Sequence, residues 1–200
     1  MQTYQPENHL KIADDIYKTS IDGLFFLPHH TYPDNRGFYS EVARIPEIEE
    51  VTGTKFVTKQ VNHSRSLQNV IRGFHAEDWN KLITITGGRV LSVLVDIRPD
   101  SPTFGKTEQF ILGTGEEALN GAIYVTKGIA NGFLVLDGPA DYLYLVDDLY
   151  ATRSKDGDQA INLFDKDIAV EWPISREEMV YSMRDTESIS LRDLFPDKFE

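Results

Sequence analysis

From Lys55 to Val146 apolar and polar positions alternate in short runs, broken by glycine, proline and acidic residues, as in a succession of β-strands. Residues 82–86 and 89–97 flank Gly87-Gly88, an arrangement that predicts a hairpin. Residues 110–112, 122–125, 132–136 and 142–146 read as further strands. Ahead of them, 24–27 reads as a short buried strand stopped by Pro28, and 33–37 as a turn from which strand resumes over 38–42. Residues 46–53 predict one short helix, with proline at its start and glycine just past its end.

Closely spaced strands without interleaved helices predict a mainly β fold, a sandwich or barrel, rather than an alternating β/α sheet. No repeat, low-complexity tract or long linker divides the 200 residues, so a single domain over 1–200 is expected. Residues 1–20 read as a polar arm packed on the domain or on a partner. Residues 174–200 read as a polar segment with one or two short helices.

Composition narrows the function. Hydrophobic residues make up 40% of the chain, enough for a real core. A net charge of −12 argues against general affinity for nucleic acid or acidic membranes, so an anionic ligand must be held by a local basic cluster. With no cysteine, disulfides and thiolate metal sites are excluded. The N-terminal stretch lacks an apolar signal region and no apolar run reaches membrane-spanning length, so a soluble, cytoplasmic protein is expected.

Such a basic cluster exists between Gln60 and Ile85, where His63, His75, Arg65, Arg72 and Lys81 stand next to strand-like runs. Histidines beside cations point to proton transfer on an anionic ligand. Each residue also has a plain reading. Strict alternation over 70–75 separates His75 from Arg72 unless Gly73 marks a bulge, and His75 alone could be a hydrogen-bonded strand histidine. His63 reads more simply as a turn residue, Lys81 as a solvated strand end, and Arg36 and Glu41 as surface charges. Tyr142 and Tyr144 share one strand face, either packed core or the source of a general acid. The chain has no GxGxxG, P-loop, GxSxG or HExxH pattern and no His-x-His pair, so no metal is expected.

Taken in order, several blocks resemble the dTDP-4-dehydrorhamnose 3,5-epimerase family, sugar-nucleotide enzymes on a cupin (jelly-roll) barrel. They are Asp34-Asn35-Arg36-Gly37-Phe38 with Glu41, Gln60-Val61-Asn62-His63-Ser64, Arg72-Gly73-Phe74-His75 with Lys81, and Val95-Asp96-Ile97-Arg98. Ser101-Pro102-Thr103-Phe104-Gly105, Gly128-Ile129-Ala130-Asn131-Gly132-Phe133, the stretches 142–150 and 168–173, and Ser182-Met183-Arg184-Asp185 complete the series.

The resemblance implies epimerisation of dTDP-4-dehydro-6-deoxy-D-glucose at C3 and C5 to dTDP-4-dehydro-L-rhamnose, without cofactor or metal. It implies that His75 is the base, Asp185 orients it, Lys81 faces the C4 keto oxygen and Tyr144 returns a proton from the opposite face. Arg36 and Arg72 would hold the diphosphate, while Phe38, Glu41, Gln60, Asn62, Asn131 and Arg184 would line the nucleotide and sugar pocket. It also implies a homodimer with exchanged N-terminal strands, Arg36 serving the neighbour's site. Many members have histidine where this chain has Asn131, and a longer His75–Lys81 segment; one branch shares both departures. The alternatives are an epimerase of one carbon only, or of another 4-keto nucleotide sugar, and a non-catalytic nucleotide-sugar-binding cupin.

Overall fold

The apolar run after Lys81 forms one strand instead of the two arms of a hairpin. In the computed structural model, which describes residues 2–155 and 157–199, it runs unbroken from Lys81 to Asp96. The strands are β1 (Lys11–Ala13), β2 (Ile16–Lys18), β3 (Leu24–Pro28), β4 (His30–Asp34), β5 (Gly37–Glu41), β6 (Gln60–Ser66) and β7 (Ile71–Ala76). They continue as β8 (Lys81–Asp96), β9 (Thr107–Gly113), β10 (Gly121–Val125), β11 (Ile129–Val146) and β12 (Gln159–Ala160). The helices are α1 (Ile45–Thr52), α2 (Met183–Thr186) and α3 (Leu191–Leu194).

Gly87-Gly88 bends β8 without reversing it. A Cβ on Gly88, whose φ is +74°, would lie 2.6 Å from the Pro139 carbonyl oxygen and 2.7 Å from that of Asp137. Only glycine admits this approach. Opposite it, β11 slips register between Val135 and Tyr142, so the stretches expected as two strands, 132–136 and 142–146, are the halves of one bent strand. Each half joins a different sheet.

Sheet I has the order β1-β2-β3-β10-β8-β11-β6, using residues 81–85 of β8 and 142–146 of β11. Sheet II has the order β9-β8-β11-β7-β12, using 89–95 of β8 and 129–137 of β11. The result is the expected jelly-roll architecture, with a strand path that runs from β1 to β12 without closing on itself.

Ile83, Ile123 and Phe26 of sheet I meet Leu94, Phe110 and Phe133 of sheet II in the central core. The outer face of sheet II is covered by the C-terminal segment, with Leu91, Val93 and Val95 under Ile161, Leu163 and Leu191. On the outer face of sheet I, α1 and its flank pack Ile48 and Phe56 against Leu82 and Tyr124. Burial on both faces explains why β8 reads as a continuous apolar run.

Helix α1 forms where proline and glycine predict it, with Gly53 left-handed at its end (φ +65°). One local expectation changes, and one with two alternatives is narrowed. Pro33 belongs to β4, leaving Asn35-Arg36 as the hairpin loop. The polar N-terminal arm holds β1 and β2, and Tyr4 is buried beside Phe110, so the arm is integrated into the chain's own sheet.

Candidate active site

A cleft of about 350 Å³ opens between the two sheets on the polar side of the core. It is lined by His75, Arg72 and Asn131 from sheet II, Lys81, Ile83, Tyr142 and Tyr144 from sheet I, and Ser182, Arg184 and Asp185 around α2.

Arg72 and His75 reach this one cavity because β7 carries a bulge. His75 pairs with Asn131 and Arg72 with Phe133, so three steps along β7 match two along β11. The extra residue undoes the alternation that would have parted the two side chains. Gly73 makes it possible: its φ is +128°, and a Cβ there would sit 2.5 Å from the Gly132 Cα.

His75 Nε2 lies 2.8 Å from Asp185 Oδ1. The imidazole is 29% exposed and open to the cleft, whereas the carboxylate is 7% exposed behind it. Ser182 caps α2, accepting from the Asp185 amide at 3.3 Å, and its hydroxyl donates to Asp185 Oδ2 at 2.9 Å. Burial alone would raise the Asp185 carboxyl. The hydrogen bonds from His75 and Ser182, with the charges of His75 and Arg184, outweigh it and hold the group below the usual carboxylate range.

On the facing wall Tyr144 stands between Ile83 of β8 and Asn62 of β6. Burial first, then the Glu77 charge, raises its phenol above the ordinary tyrosine value, with Arg72 pulling the other way. The Lys81 ammonium is buried at the start of β8 and ion-paired to Glu77. Arg72 donates through Nε to the Ser66 hydroxyl at 3.1 Å.

All four residues expected to carry chemistry (His75, Tyr144, Lys81 and Asp185) thus line the cleft, as do Arg72, Asn131 and Arg184. Gln60 and Asn62 stand beside it, on the same face of β6 as Ser64, which lines it. The Gln60 amide donates to Asn62 Oδ1 at 2.6 Å, while Asn62 Nδ2 is buried with no partner among the described residues.

Other expectations part from the cleft. Arg36, Phe38 and Glu41 lie on the separate β4–β5 hairpin: Arg36 pairs with Asp34, Phe38 is 72% exposed and Glu41 binds Arg44 at 2.7 Å. His63 and Arg65 point the opposite way from Ser64 along β6 and pair with Asp141 outside the cavity, so the cationic cluster read between Gln60 and Ile85 divides between two faces. Glu77, the partner of Lys81, carries no motif of its own in the sequence. Its position in the short link between His75 and Lys81 is the signal that points to it.

A family model described as dTDP-4-dehydrorhamnose 3,5-epimerase matches residues 18–193. The enzyme of that name from Escherichia coli (strain K12) is 33% identical over 186 residues, covering 90% of this chain and 96% of its own. A crystal structure of dTDP-6-deoxy-D-glucose-3,5-epimerase RmlC from Legionella pneumophila Philadelphia 1, in complex with dTDP-4-keto-L-rhamnose, superposes with a TM-score of 0.77 at 33% identity, covering 88% of this chain and 92% of that one. The structure of ChmJ, a 3'-monoepimerase from Streptomyces bikiniensis in complex with dTDP-quinovose, gives a TM-score of 0.78 at 28% identity, covering 89% of each chain.

Proposed function

The chain belongs to the dTDP-4-dehydrorhamnose 3,5-epimerase family, and from that premise we propose that it epimerises dTDP-4-dehydro-6-deoxy-D-glucose at C3 and C5, giving dTDP-4-dehydro-L-rhamnose. The observation that carries this reading is the arrangement of the cleft. A carboxylate-backed imidazole comes from one sheet, a phenol from the other, and a buried ammonium closes the end.

The C–H bonds on either side of a ketone are acidified because the carbanion is an enolate, yet water removes such protons slowly. His75 acts as the base, with Asp185 fixing its tautomer and supporting the imidazolium that forms. Lys81 has three N–H donors, so it retains donors for the C4 oxygen while paired with Glu77. Among the buried side chains around it, that charge stabilises the enolate more than it would in bulk solvent. Inversion then requires a proton delivered from the other face. Tyr144, kept protonated by burial, supplies it. Arg72 and Arg184 meet the diphosphate, countering the acidic net charge locally. The ketone is its own electron sink, so the steps need no cofactor.

The exposed hairpin β4–β5 fits a homodimer. It presents Phe38, Tyr32 and Tyr39 to solvent beside Arg36, an aromatic surface unusual on a monomer. Crossing to a second copy would bring Arg36, Phe38 and Glu41 to the neighbour's cleft.

Incubation with dTDP-4-keto-6-deoxyglucose in deuterium oxide tests the reaction. Deuterium at both C3 and C5 is expected. Incorporation at one carbon would identify a monoepimerase such as ChmJ, and none at either would refute the reading.

A further inference from the structure

Tyr142 takes no part in the proton transfers, yet it is built into the cleft with care. Its ring stacks on Phe133 at 4.5 Å and 18° and meets Tyr144 edge-on at 6.0 Å and 71°. The side chain is 3% exposed, and burial pushes its phenol well above the ordinary value. Its oxygen accepts the Asn131 amide N–H at 3.0 Å. Among the described residues no acceptor takes its own O–H proton. The Asn131 Oδ1 is likewise buried with no partner. An unused donor and an unused acceptor therefore sit side by side on two residues that line the cavity.

We propose that Tyr142 and Asn131 together hold the C2 hydroxyl of the sugar. That hydroxyl donates to Asn131 Oδ1 and accepts from the Tyr142 O–H. The inference rests on the 3,5-epimerase reading and adds a specificity-determining contact to it.

Elimination within the hexose, the part of the substrate that His75 and Tyr144 address, leads to C2. A pair clamped by Phe133, Tyr144 and the β11 backbone can keep its bonds through the reaction only with a hydroxyl whose carbon does not invert. C3 inverts, C4 bears the ketone, C5 carries no hydroxyl and C6 is a methyl group. Position agrees as well. Asn131 is the direct cross-strand partner of His75, and C2 adjoins C3, one of the carbons that base addresses.

The test compares wild type with Tyr142→Phe, which preserves both ring contacts, on dTDP-4-keto-6-deoxyglucose and its 2-deoxy counterpart. The readout is kcat/KM for deuterium uptake at C5. The variant is expected to lose about 10–100-fold on the hydroxylated substrate and less than about threefold on the 2-deoxy one. Asn131→Ala should repeat the pattern if the tyrosine variant folds poorly. Equal losses on both substrates, or no loss on either, would overturn the contact. Absence of uptake by wild type would instead count against the epimerase reading itself.

Discussion

His75 and Asp185 stand 110 residues apart in the chain, yet their side chains meet at 2.8 Å, strand β7 supplying one and the capped turn of α2 the other. The aspartate is buried behind the imidazole, where it can orient the ring without blocking the cleft. Asp185→Asn is expected to retain the fold and lower kcat by about 10²–10⁴-fold, because an amide no longer fixes the basic tautomer or supports the imidazolium. A loss below tenfold in steady-state kinetics would remove the aspartate from the mechanism.

The same carboxyl gives a pH signature. Its value is lowered in the fold, so its contribution to stability is complete above the unfolded value of about 4 and disappears as pH falls through the lower folded value. In thermal melts, the gap between wild type and Asp185→Asn should be full at pH 7 and narrow below about pH 4. A gap independent of pH would contradict this.

Gly73 determines whether Arg72 and His75 share a cavity. Any Cβ there must displace Gly132 and tolerate a φ of +128°. Gly73→Ala should cost about 1–3 kcal/mol, a fall of several degrees in Tm, and should reduce turnover beyond the loss of folded protein. Melting curves and active-site titration separate the two effects.

Tyr124 makes the opposite case. Its hydroxyl is buried with no partner among the described residues, while its ring packs edge-on against Phe56 at 5.3 Å. Tyr124→Phe should therefore stabilise the fold by about 1 kcal/mol. Burial first, then the charges of Asp147 and Glu49, raises this phenol in the fold. Above about pH 10 the unfolded chain gives up the proton while the fold retains it, so wild-type stability falls with rising pH. The advantage of the phenylalanine variant should then grow between pH 8 and pH 11 in chemical denaturation.

If the β4–β5 hairpin completes a neighbour's site, two inactive variants should rescue one another. Mixed dimers of Arg36→Ala and His75→Asn carry one doubly defective site and one intact site. Co-refolding the two is expected to restore a substantial fraction of activity, and none would place Arg36 outside the site.

Several of these features were legible in the sequence and others were not, for identifiable reasons. Proline and glycine mark the ends of α1 because they act locally, and both work as read. Gly87-Gly88 misleads, since the same left-handed freedom serves a hairpin or a bend within one strand, and only the partner kink of β11 decides between them. A bulge at Gly73 is the condition on which His75 and Arg72 share a face, and the register of β11 satisfies it. The roles of Glu77 and of the Tyr142–Asn131 bond are not legible in the sequence, because each depends on a partner brought close by folding. Arg36 lies away from the cleft on the β4–β5 hairpin, where it pairs with Asp34, a placement that the chain's spacing does not encode.

The most direct test of the two-sided chemistry follows exchange and inversion separately in deuterium oxide, by NMR of recovered sugar nucleotide. Tyr144→Phe should still load deuterium into the substrate through His75 while forming almost no inverted product, and His75→Asn should do neither. Inversion by Tyr144→Phe at close to the wild-type rate would contradict the assignment of the two faces.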